Sequence, residues 1–326
     1  MSPVLATPNT PLPVAGAQSA VLPSRANDAV RPASRRIDTP APLALWHLAS
    51  LDAPTVAVVW ALAFAWAARV PLPAWTPILL ALVAWSVYIA DRLLDVRSAL
   101  RATQPHPLRL RHHFHWRHRR LFIPLAAISA AAASCIIVVF MPVAARERDS
   151  VLVVAGLAYF SSVHAGLAFP RFRSRLFAPL LTKETLVAVI FTAACALPAV
   201  SCSAAGNPVH TASPPWSLAP AIAYFTLLAW LNCHSIERWE SGEDASQGKA
   251  SSGSGTFAYA TVLALAGMLL SAALAFNHRI ALLVASGAAS ALLLALLDRL
   301  RGRLTPLALR AAADLVLLTP LPFLLR

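Results

Sequence analysis

About nine apolar runs, each near the ~20 residues that a lipid hydrocarbon core demands, follow one another between residues 45 and 324. They fall at roughly 45–69, 73–95, 121–144, 150–169, 177–200, 217–237, 256–276, 279–297 and 305–324. This spacing leaves little choice of fold. A segment in lipid has no water to satisfy its N–H and C=O groups, so each run must be a helix that closes its own hydrogen bonds. Composition agrees: 58% of the 326 residues are hydrophobic and 13% are charged, against about a quarter charged in a soluble domain. The expectation is an all-α polytopic membrane protein, with its transmembrane helical domain over residues 44–326.

Residues 1–43 are rich in Pro, Ala and Ser and carry no apolar period, which predicts a disordered tail. The net charge is +13, but its placement argues against nucleic acid. Basic residues sit in the tail and in alternate gaps between runs. Arg97, Arg101, Arg109 and Arg111 follow the second run, Arg171, Arg173 and Arg175 the fourth, and Arg299, Arg301 and Arg303 the eighth; 201–216 has no Lys or Arg. The positive-inside rule then predicts a cytoplasmic N-terminus, in a bacterial-type inner (plasma) membrane. Of the four cysteines, Cys135, Cys195 and Cys233 lie within apolar runs, and no metal spacing such as C-x-x-C occurs.

Ionisable groups at the ends of membrane spans are costly, so each needs a reason. Two acidic clusters stand out. Asp91 and Asp95 end the second run four residues apart, on one helix face with Tyr88. Glu237, Glu240 and Asp244 end the sixth run, just after Asn232 and before Gly248-Lys249. Both clusters end even-numbered runs, so both are expected on the cytoplasmic face. Paired carboxylates repel unless a cation lies between them, and Mg²⁺ bridging to phosphate oxygens is a natural partner. The bland readings are interfacial capping, with Arg92 and Arg97 pairing the first cluster, and a solvated acidic loop for the second.

This arrangement resembles the UbiA superfamily of intramembrane prenyltransferases, whose first site reads N-D-x-x-D-x-x-x-D and whose second is of D-x-x-x-D type. Asp91 and Asp95 match a D-x-x-x-D pair; the family Asn and one Asp are missing. Gly248-Lys249 is similar to the family's Gly-x-Lys-Ser tail in a shifted register, and Phe169-Pro170-Arg171-Phe172-Arg173 to its aromatic–Pro–basic segment. The likeness covers roughly residues 45–326 and rests more on architecture than on motifs. It implies a UbiA-like bundle that moves an isoprenyl group from its diphosphate to a lipophilic acceptor. Asp91, Asp95, Glu237, Glu240 and Asp244 would be catalytic, with Asp91, Asp95, Glu240 and Asp244 holding Mg²⁺. Tyr88, Asn232, Arg171, Arg173, Lys183 and Lys249 would bind substrate, and membrane lipid would surround the bundle.

Other polar residues have simpler explanations. Lys183 and Glu184 read as an ion pair near the interface, and Asp314 as a helical partner of Arg310. Asn232 reads as an interhelical hydrogen-bonding group. The stretch from Arg111 to Arg120 carries four histidines among arginines. It reads as an interfacial basic–aromatic segment against anionic headgroups or a diphosphate. Two rival functions stand beside the enzyme: a non-catalytic UbiA-like lipid-binding or scaffold protein, and a small-molecule transporter. The transporter lacks the sequence mark of paired broken helices with central Gly or Pro. Oligomeric state is not legible.

Overall fold

A computed structural model describes residues 37–101, 110–164, 182–204, 214–245 and 254–325. All belong to one unit, Arg36–Arg326. The described backbone is helical throughout: α1 Ala41–Leu48, α2 Asp52–Ala68, α3 Trp75–Arg101, α4 Leu110–Arg117, α5 Arg119–Phe140, α6 Val143–His164, α7 Lys183–Ala204, α8 Ala219–Ala245, α9 Ser254–Ala273, α10 His278–Leu300, α11 Pro306–Leu315 and α12 Leu321–Leu324. Described structure starts at Ile37, ahead of the expected boundary at residue 43. Ile37 is tied to the last loop, donating its N–H to Arg303 O (2.6 Å) and accepting from Thr305 N (3.0 Å).

Among the described residues, six helices are long and apolar enough to cross a membrane, or seven if α1 and α2 count as one bent span. The expected count of nine is corrected accordingly. The run at 45–69 is broken by 87° between α1 and α2. Pro54 has no N–H to give to Ser50 O, and its ring would clash with that carbonyl in a continuous helix. Ser50 instead turns with φ +55°. Of the run at 150–169, only 150–164 lies among the described residues, as the C-terminal part of α6, whose first turns carry Arg146, Glu147, Arg148 and Asp149. The run at 305–324 is divided: the ten residues of α11 end at Leu315, a 3-10 turn follows at Val316–Leu318, and Pro320 precedes the four residues of α12.

Burial follows position in the bundle. α2 packs against α3, α7, α10, α11 and α12, and most of its surface is buried, including Trp60 and Phe64. A helix apolar all round belongs at such a centre. α5 and α9 leave Ile123, Ile128, Val138, Val262, Leu265 and Leu269 exposed. Outward apolar faces of this extent suit lipid as the surrounding solvent.

Small residues set the closest helix approaches. The ring of Tyr224 on α8 lies in a slot between Gly267 of α9 and Gly287 of α10, donating its O–H to Leu263 O at 2.9 Å. A methyl group at 267 would run into the phenol end of Tyr224, and one at 287 would sit 2.8 Å from its ring. Glycine is required at both places by the ring between them.

Candidate functional site

Polar side chains gather where α3, α4, α6, α7, α8 and α11 meet the break between α1 and α2. That break is held open by tryptophans. Trp85 Nε1 of α3 donates to Ala49 O (3.0 Å), and Trp46 Nε1 donates to Thr55 Oγ1 (3.2 Å). The Ala49 carbonyl at the break thus finds a partner inside the protein, as irregular backbone at membrane depth requires.

At the end of α3, Tyr88, Asp91, Arg92 and Asp95 lie on one side of the helix. Arg92 Nη1 is 3.1 Å from Asp91 Oδ2, and His112 Nε2 of α4 is 3.4 Å from Asp95 Oδ2. Lys183 at the start of α7 also lies in electrostatic range of Asp95, and Glu184 in range of Tyr159 and Cys233. Of the residues expected from sequence, Tyr88, Asp91, Asp95 and Lys183 are therefore brought to one region. Lys183, expected to pair with its neighbour Glu184, thus also acts on Asp95.

The second acidic cluster is divided. Glu240 of α8 forms an ion pair with Arg310 of α11, both largely buried, while Glu237 is exposed. The side chain of Asp244, and Arg171, Arg173 and Lys249 entirely, lie outside the described residues. Among the described residues, Asp91, Asp95 and Glu240 do not form a three-ligand metal group.

One such group does exist, and the sequence reading missed it: His47, Asp52 and Asp314. His47 closes α1, Asp52 opens α2, and Asp314 comes from α11. His47 Nδ1 lies 2.6 Å from Asp52 Oδ2 and 3.7 Å from Asp314 Oδ2. The outer oxygens are anchored elsewhere: Asp52 Oδ1 accepts from Ala53 N (2.9 Å), and Asp314 Oδ1 accepts from Asn232 Nδ2 (3.3 Å). Asn232 thus makes the interhelical bond expected of it. Asp314 is not simply a helical partner of Arg310; it faces α1, α2 and α8. The available signal was a charged residue beside Pro54 within an apolar run, which marks a break rather than a span.

A narrow cleft of about 40 Å³ opens beside this group, lined among others by Val56, Tyr88, Phe191, Asn232, Asp314 and Leu317. Tyr88 is one helical turn from Asp91 and Arg92, so the cleft and the α3 carboxylates adjoin.

The segment from Arg111 to Arg120 is split by its own periodicity. Arg111, His112 and His115 are buried against α3 and the break, while His113, Arg117 and His118 face out. It is therefore a packing element as much as an interfacial one. His115 Nδ1 donates to Arg111 O (2.9 Å), leaving Nε2 to accept from Ser50 Oγ (3.4 Å). Both contacts suit the neutral ring. Burial, with Arg92 and His112 nearby, pushes His115 down to about 4. The unfolded chain binds a proton at this histidine below about 6.5, and the folded chain only below about 4. Stability from this site is thus fully present above about 6.5 and declines as pH falls towards 4. Melting curves of wild type and His115→Gln between about pH 7.5 and 4.5, the window that linkage implies, should converge as the pH drops. A parallel fall in both proteins would refute the assignment.

No family model, curated protein or solved structure matches the chain. Its function must be argued from its own side chains.

Proposed function

We propose that this chain is a UbiA-like intramembrane prenyltransferase, moving an isoprenyl group from its diphosphate to a lipophilic acceptor. The observation that carries the reading is the surroundings of Asp91 and Asp95. These hard oxygen donors stand one turn apart on α3, among the basic side chains of Arg92, His112 and Lys183, and one turn from an apolar cleft. Anion-binding and cation-binding groups beside an apolar recess are what a lipid diphosphate needs.

Carboxylates of this kind fit Mg²⁺, which would be held by Asp91 and Asp95 and would draw charge from the diphosphate. Lys183, Arg92 and His112 donate to the remaining phosphate oxygens. Departure of the diphosphate breaks the C1–O bond and leaves an allylic cation. The ring face of Tyr88 stabilises that charge, and buried apolar side chains keep water from capturing it. A nucleophilic acceptor atom then bonds to C1 and releases a proton. The cleft must widen to take the prenyl tail. In this reading the site faces the cytoplasm in a bacterial-type inner membrane, with Glu237, Glu240 and Asp244 contributing from the end of α8 and Arg171, Arg173 and Lys249 also taking part.

The test is turnover by purified protein given Mg²⁺, radiolabelled prenyl diphosphates and a panel of lipophilic acceptors. Product should form, and Asp95→Ala should reduce it by at least about 10²-fold, as loss of charge stabilisation does elsewhere. Absence of both turnover and a diphosphate-dependent thermal shift would overturn the proposal. A shift without turnover would favour the non-catalytic lipid-binding relative.

A second reading, a small-molecule transporter, is favoured by the right-angled break between α1 and α2 with His47 and Asp52 on its two sides. Broken helices with ionisable flanks recur at transport sites. Substrate flux into proteoliposomes that stops on Asp52→Asn, without prenyl transfer, would establish it instead.

A further inference from the structure

We infer that His47, Asp52 and Asp314 form a site for a divalent transition-metal ion, separate from the α3 carboxylates. The inference does not depend on the prenyltransferase reading.

Geometry carries it first. The three ligand atoms all lie within 4.8 Å of one another. Metal–ligand bonds of about 2.0–2.2 Å put tetrahedral ligands about 3.4 Å apart. The observed separations of 2.6 and 3.7 Å bracket that spacing, so small side-chain movements complete the site. His47 Nδ1 approaches Asp52 at 2.6 Å but off the hydrogen-bonding direction, and has no hydrogen-bond partner among the described residues. The two carboxylates are built as ligating carboxylates usually are, one oxygen fixed by a neighbouring donor and the other turned inward.

Charge points the same way. Two carboxylates meet in a buried region where His47 is 3% and Asp52 6% exposed. A divalent ion held between them would add positive charge where the two carboxylates meet. A further observation marks space for a ligand: Asn232, 6% exposed, leaves Oδ1 buried without a hydrogen-bond partner, and Asn232 and Asp314 line the same cleft. One face of the site therefore opens on a recess, giving three protein ligands and a free position. That is the form of a reactive rather than a purely structural metal centre. The imidazole selects against Mg²⁺ and Ca²⁺ and towards ions such as Zn²⁺, Mn²⁺, Fe²⁺ or Co²⁺.

The full-length protein in detergent, stripped with chelator and then dialysed against Zn²⁺, Mn²⁺ or Co²⁺, should retain about one ion per chain by elemental analysis, as a single three-ligand site implies. Its melting temperature should rise with ion concentration. Bound Co²⁺ should give visible absorption bands of a low-symmetry nitrogen–oxygen site. His47→Gln and Asp314→Asn should lose the ion, and Asn232→Ala, which frees Asp314, should weaken binding about 10–100-fold. Asp95→Asn should keep the ion even where prenyl transfer is lost, which separates this site from the proposed catalytic one. No retained ion in the wild-type protein would overturn the inference, as would equal retention by His47→Gln and Asp314→Asn. If those variants do not fold, a Co²⁺ spectrum in the wild type showing only aquo-ion bands decides against the site.

Discussion

Trp60→Ala is expected to destabilise the purified protein by about 3–5 kcal/mol, read as a large fall in melting temperature. Trp60 is 1% exposed at the centre of the bundle. Its ring stacks on Phe225 at 3.8 Å between centroids, with Phe64 beside it at 5.9 Å. Its indole N–H donates to Leu317 O at 2.8 Å. In lipid, the transfer of an apolar side chain out of water contributes little, because the bilayer is as apolar as the core. Packing contacts and the cavity term remain, and for a fully buried indole they are the larger part. Losing the N–H also strands a carbonyl, at about 1–3 kcal/mol. Trp60→Phe separates these effects, since it keeps a ring for Phe225 but offers Leu317 nothing. An alanine variant that melts with the wild type would show that α2 is not the packing centre.

Arg310→Met should cost about as much, roughly 3–5 kcal/mol, because it removes the cation paired with a largely buried carboxylate. Glu240 and Arg310 are each 18% exposed in their side chains and join α8 to α11. Arg310→Met combined with Glu240→Gln should recover part of the loss, since the carboxylate paired with Arg310 is then neutral, while Asp314 still loses its nearby guanidinium. Additive losses would show that the two groups do not interact. The measurement also bears on the role implied for Glu240 by the family resemblance. If Glu240 served mainly as a metal ligand, removal of the competing guanidinium would tighten Mg²⁺ binding rather than weaken the fold.

Six of the helices were legible as runs of about twenty apolar residues, because a lipid-spanning helix needs nothing more than length and hydropathy. Among the described residues, the other three runs do not stand as single straight spans. Pro54 and the turn at Ser50 bend a run through a right angle; only 150–164 of the fourth run lies among the described residues; and the last run passes from α11 through a 3-10 turn to Pro320 and the short α12. The α3 carboxylates were visible because i and i+4 share a face whatever surrounds the helix. Their companions His112 and Lys183 come from other helices. The group of His47, Asp52 and Asp314 could not be assembled from spacing, since two members flank a break and the third arrives near the C-terminus. Asp314 has Arg310 one turn before it, and that local pair hid its distant partners.

The last-made helices complete what the first-made ones begin. Trp60 donates to a carbonyl 257 residues later in the chain, and Asp52 and His47 meet Asp314 across a similar stretch. At synthesis rates of about 5–20 residues per second, the early half of the bundle exists for roughly 13 to 50 seconds before those partners are made. During that interval a bent helix pair with an acid at its elbow has no finished interior to occupy. Truncation near the end of the chain therefore removes packing and hydrogen-bonding support from its beginning.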